Sequence, residues 1–278
     1  MTIDGDVGTE LPARRAMLLR LLAAIGRPVL AGLRILSQAA SFAFYVLLHA
    51  CTPSTWRRTT RAEFRAALRL SVLHPMRTVL PIAALVGVLL VAQAWYWLGA
   101  YGQSDVTFRF LIIVLARQIT PIFVGLLAFG RVGLIFLVEL GESSSRGNWR
   151  MLQANGIDPL DYLVVPRVAA LAIGTFTLSV IFIIVTLAVG YFTAGLLRPS
   201  PYSIWEFFSR VVETMDWRDF IVFPVKAIGV GVGVGLVCTM TGLRRGGAAA
   251  EPRNLLPRGF ARSVIAIFAV SLLVDLVA

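Results

Sequence analysis

The sequence predicts an all-α membrane protein, with an N-terminal interfacial helical region followed by five transmembrane helices. Three observations carry this. Hydrophobic residues make up 58% of the 278 residues, and mean hydropathy is +0.80, more apolar and less charged than a soluble domain. Several windows reach the ~20 apolar residues that cross a hydrocarbon core. The polar stretches between them are too short to build a soluble domain, and they alternate between arginine-rich and arginine-poor, as loops on opposite sides of a membrane do.

Residues 1–12 are polar and are expected to be flexible. They carry Asp4, Asp6 and Glu10 where a secretory leader would carry positive charge and then an apolar core, so no cleavable leader is expected. Residues 13–77 are expected to form an interfacial, amphipathic helical region. Arg14, Arg15, Arg20, Arg27 and Arg34 interrupt Leu, Ile, Val and Ala too often for a clean span and suit a helix lying in the headgroup layer. The apolar stretch from Ile35 to Ala50 can dip into the bilayer and ends at Pro53. Arg57, Arg58, Arg61, Arg65 and Arg69 then predict a further short interfacial helix. Its charges can meet anionic lipid, at about 1 kcal/mol each, or dock a soluble partner; the residues leave both readings open.

Residues 78–278 are expected to form the five-span domain. The first span, about 78–98, closes on a Trp95-Tyr96-Trp97 aromatic belt. The second runs from about Phe108 to Val138, where Pro121, Gly125, Gly130 and Gly133 can bend or break it. A polar connector occupies about 139–160, and the third span about 162–197. Residues 198–218 form an aromatic-rich polar segment with Glu206, Glu213 and Asp216. The fourth span, about 220–243, contains the run GVGVGVG (229–235). That run lies inside a span and not between a strand and a helix, so it reads as small-residue helix packing and not as a dinucleotide site. A basic loop (244–258) leads to the fifth span, about 259–277. The N-terminal region, the connector and the 244–258 loop are the basic segments, which puts the N-terminus in the cytoplasm and the C-terminus outside.

Several function classes find no residues to support them. There is no phosphate-binding loop, zinc-protease helix or nucleophile elbow. Cys51, Cys238, His49 and His74 are isolated from one another, so no metal is expected. No cofactor and no catalytic site of its own are expected either. The net charge of +11 comes from arginines dispersed along membrane flanks plus Lys226, a positive-inside pattern and not a nucleic-acid surface. The charges inside spans ask for a reason, because each costs about 2.5–3.5 kcal/mol at the bilayer centre. They are Arg117, Arg131, Glu139 and Lys226. Internal pairing that fixes helix register and contact with a substrate headgroup are both compatible with them. Asp275, near the outer end of the last span, is expected to be solvated.

The ordered motifs Arg117-Gln118-Ile119-Thr120-Pro121, Gly130-Arg131-Val132-Gly133, Glu139-Leu140-Gly141, Gly156-Ile157-Asp158-Pro159 and Val165-Pro166-Arg167 resemble the MlaE/YrbE family of ABC-transporter permeases, the membrane subunits of MCE-type lipid transport systems. Asp216-Trp217-Arg218 followed by Lys226 fits the same pattern, and the likeness runs from about residue 60 onward. Two positions depart from it. Gln118 stands where the family start carries an acid, and Arg146-Gly147-Asn148 stands where the coupling segment reads Thr-Glu-Gln.

The resemblance implies an MlaE-like permease fold, dimerised with a second permease chain (homo- or heterodimer) around a lipid cavity in a bacterial inner membrane. It implies a cytoplasmic ABC ATPase that hydrolyses ATP and grips the connector, an MCE protein on the external face, and phospholipid or a similar lipid as cargo. The connector residues it marks for coupling are Glu139, Glu142, Ser143, Arg146, Asn148, Arg150 and Asp158; Arg117, Arg131 and Lys226 are the intramembrane charges to test. The competing classes are a secondary transporter, which would need its own ion or substrate site at mid-membrane, and a membrane scaffold without transport.

Overall fold

The computed structural model describes residues 37, 38, 40–101, 113–197, 203–243 and 252–277. The expectations for residues 1–36 lie outside these. The chain divides into two units at residues 45/46, and the account below concerns the second. Helix α1 (Ala40–Cys51) is apolar but too short to cross a membrane. It stops two residues before Pro53, which opens a single 3-10 turn (Pro53–Thr55). The Trp56 indole folds back to donate to the Ala50 carbonyl at 2.9 Å.

Five helices long and apolar enough to cross a membrane follow. Helix α2 (Arg58–Tyr101) is one continuous helix. The arginine stretch expected to form its own interfacial helix is therefore the first turns of the first span. Nothing between Arg58 and Thr78 stops the helix, since Pro75 and Pro81 both lie inside it, and neighbouring helices can satisfy the carbonyls such prolines free. Helix α3 (residues 115–145) is also unbroken, but it is not regular. It passes through a π turn (Leu115–Ile119), an α segment (Thr120–Ala128), a second π turn (Phe129–Gly133) and an α segment (Leu134–Ser145). Of the expected break points, Gly130 and Gly133 fall in the second wide turn, and Pro121 and Gly125 lie in the α segment before it.

The connector is itself helical. A short helix α4 (Asn148–Ala154) lies between Gly147 and Gly156, the two described glycines with positive φ (76° and 71°). Gly156 closes α4 in a Schellman turn: the Ile157 amide donates to the Leu152 carbonyl and the Gly156 amide to Gln153, both at 3.0 Å, geometry that a side chain disfavours. A third π turn (Leu160–Val164) leads into α5 (Val165–Leu197). Helix α6 (Ile204–Thr214) follows, with Phe207 packed on Tyr191 of α5. Helices α7 (Trp217–Leu243) and α8 (Pro252–Val277) complete the bundle.

Close approach of backbones holds the bundle together, as expected where the solvent is itself apolar. The interface of α2 with α5 is the most extensive. A Cβ on Gly87 would sit 2.5 Å from the Thr186 carbonyl oxygen, and the Thr186 hydroxyl donates across the gap to the Ala83 carbonyl at 3.1 Å. The glycine run of α7 works on two sides. Residues two apart on a helix are about 200° apart, so alternate glycines face opposite ways. A Cβ on Gly231 would overlap the Thr175 hydroxyl and lie 2.7 Å from the Ala172 Cα, and one on Gly235 would lie 3.1 Å from the Val168 Cα, all on α5. Cβ atoms on Gly229 and Gly233 would instead meet Val270 of α8, at 3.0 and 3.3 Å. Helix α3 crosses all four other spans. Its Phe129 and Leu137 pack with Val230, Val234 and Cys238 of α7 and Ile267 of α8. Its Val124 packs with Val79 and Ala83 of α2 and Phe182 of α5.

Gly231→Val is therefore expected to overpack the α5–α7 contact and cost about 1–3 kcal/mol or more. Gly130 has open space around its Cα, so Gly130→Ala is expected to be neutral or slightly stabilising, by up to about 1 kcal/mol. Thermal unfolding of the two purified variants in one detergent checks the contrast.

Candidate functional site

Two groups of polar residues stand out, at opposite ends of α3. At the end away from the connector, Lys226 of α7 is fully buried. An unpaired ammonium there would be prohibitive, and the three donors of this one are taken up completely. It donates to the Arg117 backbone carbonyl at 2.7 Å, to Gln118 Oε1 at 3.2 Å and to both carboxylate oxygens of Asp275 at 2.8 Å. The carbonyl is on offer for a reason visible in the sequence. The usual helical donor to Arg117 would be the amide four residues on, and that residue is Pro121, which has none. Gln118 completes the set by donating its amide to Asp275 at 2.8 Å.

The Arg117 side chain turns the other way, to Asp219 on the first turn of α7. Asp219 is 4% exposed. Its second oxygen accepts the Asp216 amide at 3.0 Å, so one carboxylate both caps α7 and neutralises Arg117. Arg117 and Lys226 balance Asp219 and Asp275. Asp275, expected to be solvated, is exposed and is at the same time the counter-ion of the buried lysine. Position near a helix end suggested water, but it lies one helix away from a lysine whose partner could not be read from α7 alone. Gln118 is an integral member of the cluster, bridging lysine and aspartate with no charge of its own.

At the other end, Glu139 on α3 pairs with Arg167 on α5 at 3.2 Å. Arg167 also donates to the Leu163 carbonyl and lies over the Phe136 ring, 5.7 Å from its centroid. The two helices that flank the connector are thus clamped at their bases. Of the marked residues, Glu142 and Arg146 form an exposed i,i+4 pair at 3.3 Å. Ser143 is half-buried, and Asn148 and Arg150 are exposed. Asp158 is exposed and local: its carboxylate accepts the Leu160 amide at 2.9 Å and starts the third π turn. No residue of α4 is buried, and its Met151 is 64% exposed. Glu139 and Asp158 therefore have structural partners and Arg146 has Glu142, while Asn148 and Arg150 are exposed on α4. Arg131 belongs to neither group; it is exposed at the second π turn.

All three π turns fall in the motif segments: the first at Arg117-Gln118, the second around Arg131, the third between Asp158-Pro159 and Pro166-Arg167. Such turns inside helices are frequent at functional sites. Asp219, Asp275 and the Arg167 clamp are the functional candidates that sequence reasoning did not place in a site. Membrane-depth acids facing basic residues on other spans were the available signal. Among the described residues no three His, Cys, Asp or Glu side chains gather to hold a metal.

The profile of the family described as Permease MlaE matches residues 65–277. Among individual proteins, a Probable ABC transporter permease protein, ycf63, of Pyropia yezoensis is 24% identical over 139 residues, 50% of this chain and 52% of that one. The chain therefore spans about half the length of that relative. The Intermembrane phospholipid transport system permease protein MlaE of Haemophilus influenzae is 22% identical over 81% of this chain and 85% of its own. The Probable ABC transporter permease protein slr1045 of Synechocystis is 26% identical over 69% and 73%.

Removing Asp275 strands a buried charge. Asp275→Ala is expected to lower stability by about 3–5 kcal/mol, whereas Lys226→Met with Asp275→Leu should recover most of it. Denaturant titration of the single and double variants in mild detergent separates a pair that is merely structural from one that the fold cannot replace.

Proposed function

The chain belongs to the MlaE permease family, and on that premise we propose that it is the membrane subunit of an ABC-type transporter that moves phospholipid or a similar lipid. A separate cytoplasmic ATPase would supply the energy, an MCE protein would exchange lipid on the external face, and a second permease chain would complete the cavity in a bacterial inner membrane. The N-terminus and the connector would be cytoplasmic, in keeping with the arginine distribution.

The observation that carries the reading is α4. It is a short helix with no buried residue, hung by two positive-φ glycines between the two spans that Glu139 and Arg167 clamp together. A helix so exposed contributes little to the bundle's own stability, and it is well placed to be pushed. Force applied to α4 would pass into α3 and α5 together, a rigid-body coupling of the kind that needs different partner contacts in two states. Arg146, Asn148 and Arg150 would supply those contacts. The apolar faces of α2 and α8, where Leu85, Leu272 and Leu273 are exposed, suit lipid or a second chain. A secondary transporter would require a titratable group free to exchange ions; Asp219 and Asp275 are each already engaged by a basic partner.

Purification of the tagged chain in mild detergent is expected to recover an ABC ATPase, and Arg146→Glu with Arg150→Glu to reduce that recovery at least about tenfold, a change of ~1.4 kcal/mol, while size-exclusion behaviour stays unchanged. ATP-dependent lipid transfer in reconstituted vesicles should fall in parallel. Recovery of the chain alone, with no ATP-dependent transfer, would overturn the assignment.

A further inference from the structure

Four basic side chains share one open groove on the flank of α2. Arg69, His74 and Arg77 come from successive turns of α2, and Arg131 projects from the π turn in the middle of α3; with Leu70 and Leu73 they line a cavity of about 680 Å³. Arg69, Leu73 and Arg77 are spaced i, i+4 and i+8, so they form one stripe about 12 Å long. All three arginines are exposed. None has an acidic partner among the described residues, and no carboxylate lines the groove. This sets them apart from Arg117, Arg167 and Lys226, each of which is paired.

Three unpaired guanidinium groups gathered on the flank of two spans suit an anion. The groove also specifies what kind. Its apolar wall, with Leu73 61% exposed, suits a hydrocarbon chain, so the anion is the head of an amphiphile and not a soluble ion. Guanidinium forks match phosphate oxygens two at a time. With no carboxylate present, the ammonium of a zwitterionic headgroup would meet only like charges. We propose that this groove is a binding site for an anionic phospholipid, its phosphate held among Arg69, Arg77 and Arg131 and an acyl chain lying along Leu70 and Leu73. The site requires only that the chain sits in a membrane, and it is independent of which lipid, if any, is transported.

The test is a titration of the purified full-length chain in mild detergent with phosphatidylglycerol, phosphatidylcholine or inorganic phosphate, with bound molecules counted by native mass spectrometry. Phosphatidylglycerol is expected to bind at least tenfold more tightly than phosphatidylcholine. Each guanidinium removed should weaken it about fivefold, so Arg77→Gln with Arg131→Gln should weaken it about 25-fold. Arg258→Gln with Arg262→Gln, which removes the same charge from exposed positions on α8, should leave affinity within about twofold. Arg131→Gln alone, at an exposed and unpaired position, reads out the same effect at about fivefold if the double variant does not fold. Equal losses in the two double variants, equal affinity for the two lipids, or inorganic phosphate binding as tightly as the lipid would each overturn the proposal.

Discussion

A primary ammonium with no water around it is a demanding object, and three helices are arranged to meet its demands at one end of the bundle. Lys226 needs three acceptors at hydrogen-bond distance, at least one of them negative. Helix α8 supplies the charge through Asp275, and α3 supplies a side-chain amide and a bare carbonyl. The bare carbonyl follows from Pro121, so a backbone defect in one helix is repaired by a side chain from another. Breaking any of these contacts leaves a buried donor or a freed carbonyl unsatisfied, and the register of α3, α7 and α8 is fixed as a result. The Arg117–Asp219 pair adds a second tie between α3 and α7 while capping the latter. The four charges sum to zero, so the cluster can persist at membrane depth without a net field to neutralise.

Away from that cluster the bundle is held by absence of side chains more than by their presence. Alternate glycines let α5 and α8 approach α7 from opposite sides, and an apolar solvent gives helices little reason to associate except such close contact. Helices α5, α7 and α8 therefore make a slab, with backbone against backbone between α5 and α7 and Val270 seated on the glycines between α7 and α8. Polar ties at the two ends of α3 secure it to this slab, by Lys226 at one end and Arg167 at the other. Beyond the Arg167 tie, α4 is the one described helix with nothing buried.

The spans and the packing role of the glycine run were legible in the sequence because hydropathy and small-residue spacing act locally. The five apolar stretches needed only length. What was not legible came from contacts between distant segments. The first span and the arginine stretch before it form one helix because internal prolines were tolerated, and tolerance is decided by neighbours. Asp275 lies 49 residues beyond Lys226, and no periodicity connects them. The irregularity at Gly130 and Gly133 was visible, but whether it would bend, break or widen the helix depends on how many neighbours must be reached. The charges of the connector were visible too; that Glu139 reaches Arg167 depends on a contact between two helices that no local pattern carries.

The central π turn of α3, residues 129–133, sets the rotation of the second half of the helix relative to the first. An extra residue in a turn advances the helix by about 100° without interrupting it. The face before the turn and the face after it are therefore not continuous: before it Val124 packs with α2 and α5, while at and beyond it Val132 and Phe136 meet α2 and α5 again and Leu137 meets α7 and α8. The insertion is hidden, since no loop marks it. Its arithmetic shows only on deletion: losing any one residue of this stretch would restore a regular helix and rotate everything beyond it, α4 included, by that same angle. Replacing the residue would leave the phase intact. In this segment the count of residues carries more of the architecture than their identity does.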